Sequence, residues 1–402
     1  MASIPQTQRV LSLPAIRQKY VLEHDQSIPA IQHEHEVLVK TEVIGLNPID
    51  WKAPDYGFGI PVLPYIPGRE LVGHVTVPAS TNKRLKLGDR VALISTDYRD
   101  LRKATYQEYA ISSHFNLVRL PQSVPSEQGA AIGVAFVTGA LALGVCTGLD
   151  FSPISGGPDL VNLVRRIDSA RLPKDVREEC VEGISSYDRP REGDWLAIWG
   201  GSSTCAFIIN QLARLAGLRT IIVLDVRKHA NTLATDPAFK ADFVVDSHDP
   251  ERAIEIVRSV TGGSLRFAID VVGKTTSEYL AQCLQSHDAK ANGVTDPTPP
   301  GTPPSDAADK TSEIRGSHLT GLTGLPKHVT GAHHHSVPVK LFHEVPEVGE
   351  ALVLWLERLL KESLVVPPRI LGVVDGLEGV NDGLDRMRKG EISGGRLVAR
   401  IR

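Results

Sequence analysis

The feature that most constrains the fold is a glycine turn placed between two apolar runs. Residues 195–199 form a continuous apolar run typical of a buried strand, and Gly200-Gly201-Ser202-Ser203 follows it directly. The next residues change to helical periodicity, and Gly217 stands where a helix end favours the left-handed conformation. A second apolar run, residues 220–224, ends at Asp225. This order of strand, turn, helix and strand predicts the first unit of a dinucleotide-binding sheet.

The turn itself predicts a phosphate-binding site. Glycines let the backbone approach a pyrophosphate, and the free N–H groups and dipole of a helix N-terminus favour its negative charge. Ala206 lies nearest to the third glycine position of the fingerprint, and alanine is small enough to keep the helix close to the strand. An ordinary strand–helix junction that binds nothing is the alternative. The cofactor contacts predicted here are Gly200, Gly201, Ser202, Ser203, Thr204 and Cys205.

The composition is that of an ordinary globular protein. The chain has 402 residues, enough for two domains, with 42% hydrophobic residues, 23% charged residues and a formal net charge of −3. No basic run points to nucleic acid, and the four cysteines lack metal-ligand or disulfide spacing, which favours a reducing compartment. No apolar stretch approaches the roughly 20 residues that span a bilayer, and the polar N-terminus is unlike a signal peptide. We therefore expect a cytoplasmic protein without nucleic-acid or membrane partners.

The hydrophobic pattern divides the chain into two regions. Residues 1–125 contain short alternating segments separated by Gly and Pro, which predict a barrel-like domain. These segments are 36–44, 70–77 and 87–94. From about residue 130, strand and helix patterns alternate, which predicts a parallel sheet covered by helices. The strand candidates are 244–245, 267–272 and 319–322, and the helix candidates are 251–260 and 347–360.

Three segments depart from this alternation. Residues 150–192 form a polar connection with one helical stretch at 160–167. Residues 286–313 are rich in proline and nearly free of apolar side chains, so they cannot bury enough surface to become ordered. We expect a disordered surface insertion there. The run His333-His334-His335 is expected in an exposed loop, where adjacent side chains point in different directions and do not share a metal ion.

Five motifs in a fixed order give the chain a resemblance to a known superfamily. They are Gly45-Leu-Asn-Pro-Ile-Asp-Trp-Lys52, Ile66-Pro-Gly-Arg-Glu70, Leu87-Gly-Asp-Arg-Val91, the turn at 200–203 and Lys389-Gly-Glu-Ile-Ser-Gly-Gly-Arg-Leu-Val398. On the basis of these motifs, the chain resembles the medium-chain dehydrogenase/reductase superfamily, and within it the fungal trans-acting enoyl reductases. The resemblance implies an α/β fold with two domains. A GroES-like β-barrel catalytic domain at 1–130 would be completed by 366–402, and a Rossmann domain with a doubly wound parallel sheet would occupy 131–365, including the insertion 286–313.

The same resemblance separates this chain from the zinc alcohol dehydrogenases of the superfamily. Those enzymes bind a catalytic zinc through a cysteine and a histidine at the positions that Asn47 and Arg69 hold here, and only Glu70 remains of the second motif. Neither Asn nor Arg is a sound zinc ligand, and arginine is permanently cationic. We therefore expect no metal, and we expect hydride transfer to an activated C=C bond instead of zinc-type alcohol oxidation.

The resemblance also assigns active-site residues. The segment lining the nicotinamide matches Asn47, Pro48, Ile49, Asp50 and Trp51, and Lys52 is the candidate to polarise a substrate carbonyl or supply a proton. A salt bridge from Lys52 to Asp50 or Asp55 is the alternative, and bulk water could also deliver the proton. The substrate segment matches Gly133, Val134, Ala135, Phe136, Val137 and Thr138, with a core helix as the alternative, above all for Val134 and Val137. Phe342 and Glu344 are further substrate-pocket candidates.

The residues after the second strand bear on the choice of cofactor. Asp225 at the strand end is typical of binding to the ribose 2′-hydroxyl of NAD, whereas Arg227 and Lys228 could bind the 2′-phosphate of NADPH. The two adjacent cations favour NADPH, and so does the resemblance, because members of the family commonly use NADPH. Ser247, Ser393 and Gly394 complete the predicted cofactor contacts.

Three functions are compatible with these features. The first, which we expect, is a zinc-independent, NADPH-dependent enoyl reductase of polyketide or other secondary-metabolite biosynthesis. Its substrate would be a small or carrier-protein-bound enoyl compound, with a polyketide synthase as partner. The second is a quinone or small-enone oxidoreductase, and the third is a non-redox NADPH-binding protein. Members of the family are monomers or homodimers.

Overall fold

The computed structural model describes residues 4–285, 315–326 and 331–401. The strands are β1 (Thr7–Ser12), β2 (Val21–Ser27), β3 (Glu36–Gly45), β4 (Glu70–Val77), β5 (Arg90–Ile94), β6 (Tyr109–Ser113), β7 (Leu117–Arg119), β8 (Trp195–Trp199), β9 (Arg219–Leu224), β10 (Phe243–Asp246), β11 (Phe267–Asp270), β12 (His318–Gly321), β13 (His333–Ser336), β14 (Ile370–Asp375) and β15 (Arg396–Arg400). The helices are α1 (Pro48–Tyr56), α2 (Ser126–Gly129), α3 (Gly133–Leu141), α4 (Leu160–Arg165), α5 (Arg177–Glu182), α6 (Thr204–Leu215), α7 (Val226–Thr235), α8 (Pro250–Thr261), α9 (Lys274–Cys283), α10 (Leu341–Glu344), α11 (Pro346–Lys361) and α12 (Val380–Arg388).

The central sheet has six parallel strands in the order β10-β9-β8-β11-β12-β13. This is the doubly wound order, in which the chain begins in the middle of the sheet and reverses direction beside its first strand. The predicted strand at 195–199 is β8, and the predicted second strand is β9. Gly217 lies between α6 and β9 with φ of 80°, in the left-handed region expected there. The predicted α/β fold class is confirmed.

Alternate residues of β8 point to opposite faces of this sheet and join two different cores. Leu196 and Ile198 pack with residues of α3, α6 and α11 on one face. Trp195 and Trp199 pack with residues of α8 and α9 on the other face. Burial on both faces explains why the sequence of β8 is continuously apolar instead of alternating.

A second sheet has seven strands in the order β14-β15-β3-β4-β5-β7, with β6 also paired to β3. Strand β15 runs parallel to β14 and antiparallel to β3, with Ala399 opposite Ile44. The last strands of the chain therefore lie in one sheet with residues 36–45. Leu71, Leu93 and Leu397 belong to the core of this sheet. The boundaries near residues 130 and 365 stay a prediction, since strand pairing alone does not fix where a domain ends.

The expectation that no apolar segment has the length of a membrane span is wrong. The helical run Ser126–Cys146 has 21 residues and a mean hydropathy of 2.0 in its most apolar window. That window is 89% buried inside the fold. The run contains α3 and a π-helical turn, Ala142–Cys146, both of which pack in the main core. Core packing therefore accounts for its apolar character.

The expectation of an exposed histidine loop is also wrong. Residues 333–336 form β13, and His335 is only 1% exposed. Because residues i and i+2 of a strand share a face, His333 and His335 both stack on His318 of β12, with ring centroids 5.2 and 5.1 Å away. Nδ1 of His335 lies 2.8 Å from Oε1 of Glu179, so the strand is held by a partly buried polar contact.

The two other irregular segments differ in outcome. In the connection 150–192, the predicted helix is present as α4, and a helix that the sequence did not indicate, α5, follows it. The insertion expected at 286–313 lies outside the described residues.

Candidate active site

The glycine turn after β8 leaves no room for larger residues. Gly200 has φ of 90°, and the backbone N–H groups of Gly200 and Gly201 both donate to the Val223 carbonyl at 3.0 Å. A Cβ added at Gly201 would stand 2.9 Å from Cβ of Ile222, and one at Gly200 would stand 2.5 Å from a methyl carbon of Val271. The turn is therefore held against β9 and β11 in a form that only glycine allows.

The helix after this turn presents its N-terminus at the carboxyl edge of the sheet. Ser203 is the N-cap of α6, and its Oγ accepts a hydrogen bond from the Ala206 N–H at 3.1 Å. The first N–H groups of a helix have no intrahelical partner, so the start of α6 can bind an anion. Burial raises the pKa of the Cys205 thiol to about 11, so this residue is neutral at the helix start.

The C-terminal loop lies next to this helix start. Ser393 Oγ is 3.0 Å from Nε2 of His229 in α7, and a Cβ added at Gly394, which has φ of 73°, would stand 3.1 Å from the same ring. A narrow crevice, without room for a water-sized molecule, is lined by Ser202, Ser203, Thr204, Phe207, Phe239, Pro368, Arg369, Gly394 and Gly395. Small-molecule sites usually have about 300–1,000 Å³, so this crevice would have to widen to admit a dinucleotide. The glycine cradle and free helix donors fit its pyrophosphate.

Glu70 forms the polar centre of the neighbouring sheet. Its Oε1 accepts hydrogen bonds from Asn47 Nδ2 at 3.1 Å and from Arg396 Nη2 at 3.2 Å, while its Oε2 accepts from the Val134 N–H at 3.0 Å. Arg396 also donates to Asn47 Oδ1 at 2.7 Å. Burial raises the pKa of the Glu70 carboxyl, and the charge of Arg396 opposes that rise. The start of α1, the start of α3 and β15 therefore meet at one carboxylate.

The predicted nicotinamide segment divides into buried and accessible residues. Asn47 and Asp50 are each 2% exposed, and Asp50 Oδ2 accepts hydrogen bonds from the Asn47 N–H and the Tyr106 hydroxyl, both at 2.8 Å. Their polar groups are thus used inside the fold. Pro48 is exposed, and Ile49 and Trp51 are half-buried, so these three present the accessible surface of the segment.

Lys52 is half-buried, and its Nζ lies 5.6 Å from the centroid of the Trp51 ring. The alternative of a salt bridge from Lys52 does not match the contacts of the two carboxylates. Asp50 is occupied as described, and Asp55 binds the Arg388 guanidinium at 2.7 and 3.0 Å. Within residues 4–285, 315–326 and 331–401, no ion pair of Lys52 is present. Its ammonium group is therefore available to a ligand.

Helix α3 exposes two of the six predicted substrate residues. Val134 and Thr138, four positions apart, are half-buried, whereas Gly133, Ala135, Phe136 and Val137 are buried. Phe136 packs on the Trp355 ring, with centroids 5.4 Å apart. Residues i and i+4 of a helix share a face. Val134 and Thr138 therefore define the accessible face of α3; the core interpretation holds for Val137, and Val134 is only partly buried but also packs against the main core.

The two remaining substrate candidates lie elsewhere. Phe342 is fully buried in the main core, and its carbonyl accepts a hydrogen bond from Asn116 Nδ2 at 2.6 Å. Glu344 lines a separate charged crevice with Asp97, Arg99 and Arg102. Phe342 cannot contact a ligand in this arrangement.

Arg69 is a buried cation to which the sequence assigned no role beyond its failure as a zinc ligand. It is 4% exposed, donates from Nη2 to the Tyr65 hydroxyl at 2.6 Å, and stacks on Tyr98 with Cζ 3.5 Å from the ring centroid. Its charge is the main influence that lowers the pKa of Asp50, against the rise that burial causes. An arginine in a sequence is usually expected at the surface, so only the motif position could have indicated this role.

Charged residues gather where β9 and β10 end. Asp225 is the N-cap of α7, and its Oδ1 accepts a hydrogen bond from the Lys228 N–H at 2.7 Å. Arg227 and Lys228 are exposed in the first turn of that helix. The N–H of Ser247 donates to the Leu224 carbonyl at 2.9 Å. His248, which the sequence did not single out, lies 3.6 Å from Asp225 Oδ2.

Comparisons with known proteins agree with this architecture. Residues 33–122 match the alcohol dehydrogenase GroES-like domain. The chain is 27% identical over 387 residues to trans-enoyl reductase eqxC of Fusarium heterosporum, and the match covers 94% of each chain. It is 26% identical, with the same coverage, to trans-enoyl reductase fsa3 of Fusarium sp. (strain FN080326). Among solved structures it is similar to a quinone oxidoreductase of Pseudomonas syringae pv. Tomato DC3000, with a TM-score of 0.67, 15% identity and coverage of 98% and 99%.

Proposed function

We propose that this chain is an NADPH-dependent enoyl reductase of the zinc-independent medium-chain dehydrogenase/reductase family, acting in trans in polyketide biosynthesis. The observation that carries the proposal is the meeting of three segments at Glu70. The nicotinamide segment, the substrate helix α3 and the strand after Gly394 all donate hydrogen bonds to this carboxylate. Two curated relatives named trans-enoyl reductases support the reaction class.

Different residues would bind the cofactor, contact the substrate and supply a proton. A nicotinamide cofactor, when bound, supplies a hydride to the β-carbon of an unsaturated substrate. The turn at 200–203 and the start of α6 would bind the pyrophosphate, and Arg227 would bind a 2′-phosphate. Val134 and Thr138 would contact the acyl chain. Lys52 would donate a hydrogen bond to the substrate carbonyl, or a proton to the α-carbon, from an ammonium that no carboxylate holds among the described residues.

The donor set at the family's metal position fits a protein without catalytic zinc. The side-chain N–H of Asn47 donates to Glu70, and its Oδ1 accepts a hydrogen bond from Arg396. Arg69 carries a permanent positive charge. A divalent ion would be repelled by that charge, and neither residue supplies a zinc ligand of ordinary type. Polarisation of the substrate therefore falls to hydrogen-bond donors of the chain.

The finer features of the proposal concern the cellular setting. We propose that the substrate is a carrier-protein-bound enoyl chain presented by a polyketide synthase. We also propose that the enzyme is cytoplasmic and is a monomer or homodimer. Faster reduction of a carrier-bound enoyl thioester than of the matching coenzyme A thioester would support this setting, and equal rates would argue against it.

A quinone or small-enone oxidoreductase is the second candidate, because the solved structures similar to this chain include quinone oxidoreductases. The two candidates differ in substrate and share the cofactor site. Parallel assays of NADPH oxidation with an enoyl thioester and with a small quinone separate them. Turnover of the quinone alone would favour the second candidate.

A variant of the glycine turn tests the cofactor site. Gly200→Ala would place a Cβ 2.5 Å from Val271 in a backbone with φ of 90°, so we expect loss of NADPH binding measured by fluorescence titration. Gly88→Ala is the matched control: it has φ of 86°, lies in the turn before β5 and has open space around the added Cβ. Normal NADPH binding by Gly200→Ala would contradict the assignment of the site.

A further inference from the structure

Two carboxylates stand together at the sheet edge where a dinucleotide would place its adenosine end. Strands β9 and β10 are adjacent and parallel, with Asp246 opposite Leu224, so Asp225 and Asp246 end neighbouring strands. Ligands of a doubly wound sheet bind outside the carboxyl ends of its strands, and an acidic residue there commonly binds the ribose. Asp225 holds the usual position of that acidic residue, and Asp246 adds a second carboxylate beside it. A 2′-phosphate would therefore lie near two negative groups.

His248 lies between these two carboxylates. Its Nδ1 is 3.2 Å from Asp246 Oδ1, and its Nε2 is 3.6 Å from Asp225 Oδ2. One atom from each of the three side chains lies within 4.8 Å of the others. When protonated, the imidazole carries an N–H on both nitrogens, hydrogen-bonded to Asp246 on one side and facing Asp225 at ion-pair distance on the other. A neutral imidazole has only one N–H and no charge, so it faces only one of the two carboxylates with a donor and compensates neither.

The charged groups around His248 determine its protonation. The hydrogen bond to Asp246 and the charges of Asp225 and Asp246 raise its pKa, and the charge of Arg227 on α7 opposes this. The ring is exposed to solvent, so its charge exchanges freely with the buffer. Arg227 and Lys228 carry the remaining positive charges of the first turn of α7.

We propose that the charge of His248 sets the preference of this site between NADPH and NADH. The proposal rests on the proposed function, because it presupposes a nicotinamide dinucleotide at this edge. Protonated His248 compensates Asp225 and Asp246, and a 2′-phosphate can then lie beside Arg227. With neutral His248, the two carboxylates repel the phosphate, while Asp225 can still accept a hydrogen bond from the ribose 2′-hydroxyl of NADH.

The predicted dependence on pH has a definite sign. Because the pKa of His248 is raised, the imidazolium is present below that pKa and is lost as the pH rises through it. The preference for NADPH should therefore be greatest in mildly acidic solution and weaken toward alkaline pH. The phosphate also titrates, with a second pKa of about 6, and this gives it more charge at higher pH. A variant without the imidazole isolates the contribution of His248 from that of the phosphate.

The experiment is a fluorescence titration of the full chain with NADPH and with NADH, from mildly acidic to mildly alkaline pH at low ionic strength. The ratio of the two dissociation constants is compared among the wild type, His248→Gln, His248→Lys and His74→Gln. His74 is the matched control because it is an exposed histidine paired with Glu42 at 3.2 Å, remote from this edge. For the wild type we expect the NADPH preference to fall by about fivefold as the pH rises, a size set by one exposed charge.

His248→Gln should remove that contribution, His248→Lys should hold the NADPH preference across the pH range, and His74→Gln should match the wild type. Added salt should flatten the wild-type curve, because it screens exposed charges. An unchanged pH dependence in His248→Gln, with both nucleotides bound, would overturn this inference and leave the reductase assignment intact. Absence of binding of either nucleotide to the wild type at every pH would overturn both.

Discussion

The Glu70 carboxylate lies 3.2 Å from the Arg396 guanidinium, and the two side chains are 1% and 4% exposed. The pair joins the first residue of β4 to the first residue of β15, although 326 positions separate them in the chain. Two further hydrogen bonds attach Asn47 and the Val134 N–H to the same carboxylate. One buried charge pair therefore fixes the relative positions of the segments proposed to hold nicotinamide and substrate.

Removal of Arg396 should be strongly destabilising. Arg396→Leu leaves Glu70 as an unpaired buried charge, and breaking such a pair costs about 3–5 kcal/mol of the free energy of unfolding. Urea unfolding of the variant and the wild type measures this cost. Arg400→Leu is the matched control, since Arg400 is half-exposed and binds Glu127 at the surface, where a pair contributes about 0–1 kcal/mol. An equal loss of unfolding free energy in the two variants would contradict the role of Glu70 as the buried carboxylate that holds these segments together.

The loss of stability in Arg396→Leu should depend on pH. Burial raises the pKa of Glu70 and Arg396 limits that rise, so the pKa should rise further in Arg396→Leu. A carboxyl with a raised folded-state pKa stabilises the fold below its unfolded pKa, and this stabilisation is lost as the pH rises through the folded pKa. The stability deficit of the variant should therefore be larger near about pH 8 than near about pH 5. A deficit that grows toward acid would show that Glu70 is not the group left unpaired.

Lys52 should contribute to turnover and not to NADPH binding. Lys52→Met removes the proposed donor, and loss of a positioned acid typically lowers the rate about 100-fold or more. Steady-state kinetics with an enoyl thioester give kcat, and fluorescence titration gives the NADPH dissociation constant. Lys19→Met, which removes a surface lysine paired with Asp385, is the control. An unchanged kcat in Lys52→Met would assign proton delivery to water.

Two adjacent residues of α3 should have opposite effects. Val137 is 1% exposed in the core, so Val137→Ala should lower the free energy of unfolding by about 2 kcal/mol, with little change in substrate KM. Thr138 is half-buried on the accessible face, so Thr138→Ala should change stability by less than about 0.5 kcal/mol but alter substrate KM. Thermal unfolding and steady-state kinetics on both variants check this. A KM effect confined to Val137→Ala would place the substrate elsewhere.

Arg227 should discriminate between the two nucleotides. Arg227→Ala removes the exposed guanidinium beside Asp225, and one charge-assisted contact to a phosphate corresponds to about tenfold in affinity. The NADPH dissociation constant should rise by that factor, while the NADH constant stays unchanged. Arg252→Ala, on the neighbouring helix α8, is the control, because Arg252 pairs with Glu255 on an exposed face. Equal weakening of both nucleotides would argue against a 2′-phosphate contact.

The local part of this fold follows from the sequence because its signals are local. The run from Trp195 to Leu224 carries strand, turn, helix and strand patterns within 30 residues, and β8, α6 and β9 lie where those patterns indicate. The histidine strand β13 was missed because adjacent histidines lack the apolar pattern of a buried strand. The ring of His335 contacts His318, 17 positions away, and Glu179, 156 positions away, so its partners lie outside any local pattern.

The arrangement of the site was less predictable for the same reason. Asn47 and Asp50 match the family segment, yet their side chains bond within the fold to Glu70, Arg396 and Tyr106. The contact between Asp55 and Arg388, which leaves Lys52 without that partner, joins residues 333 positions apart. Such pairings are set by tertiary packing, and no spacing in a single sequence encodes them.

The most direct test of the reductase assignment follows the hydride itself. Purified protein is incubated with an α,β-unsaturated thioester and NADPH carrying deuterium at the transferred C4 position, and the product is analysed by NMR and mass spectrometry. We predict oxidation of NADPH together with one deuterium on the β-carbon of the saturated product, and a hydrogen from water on the α-carbon. A protein that binds NADPH but leaves both the thioester and the nucleotide unchanged would contradict the assignment.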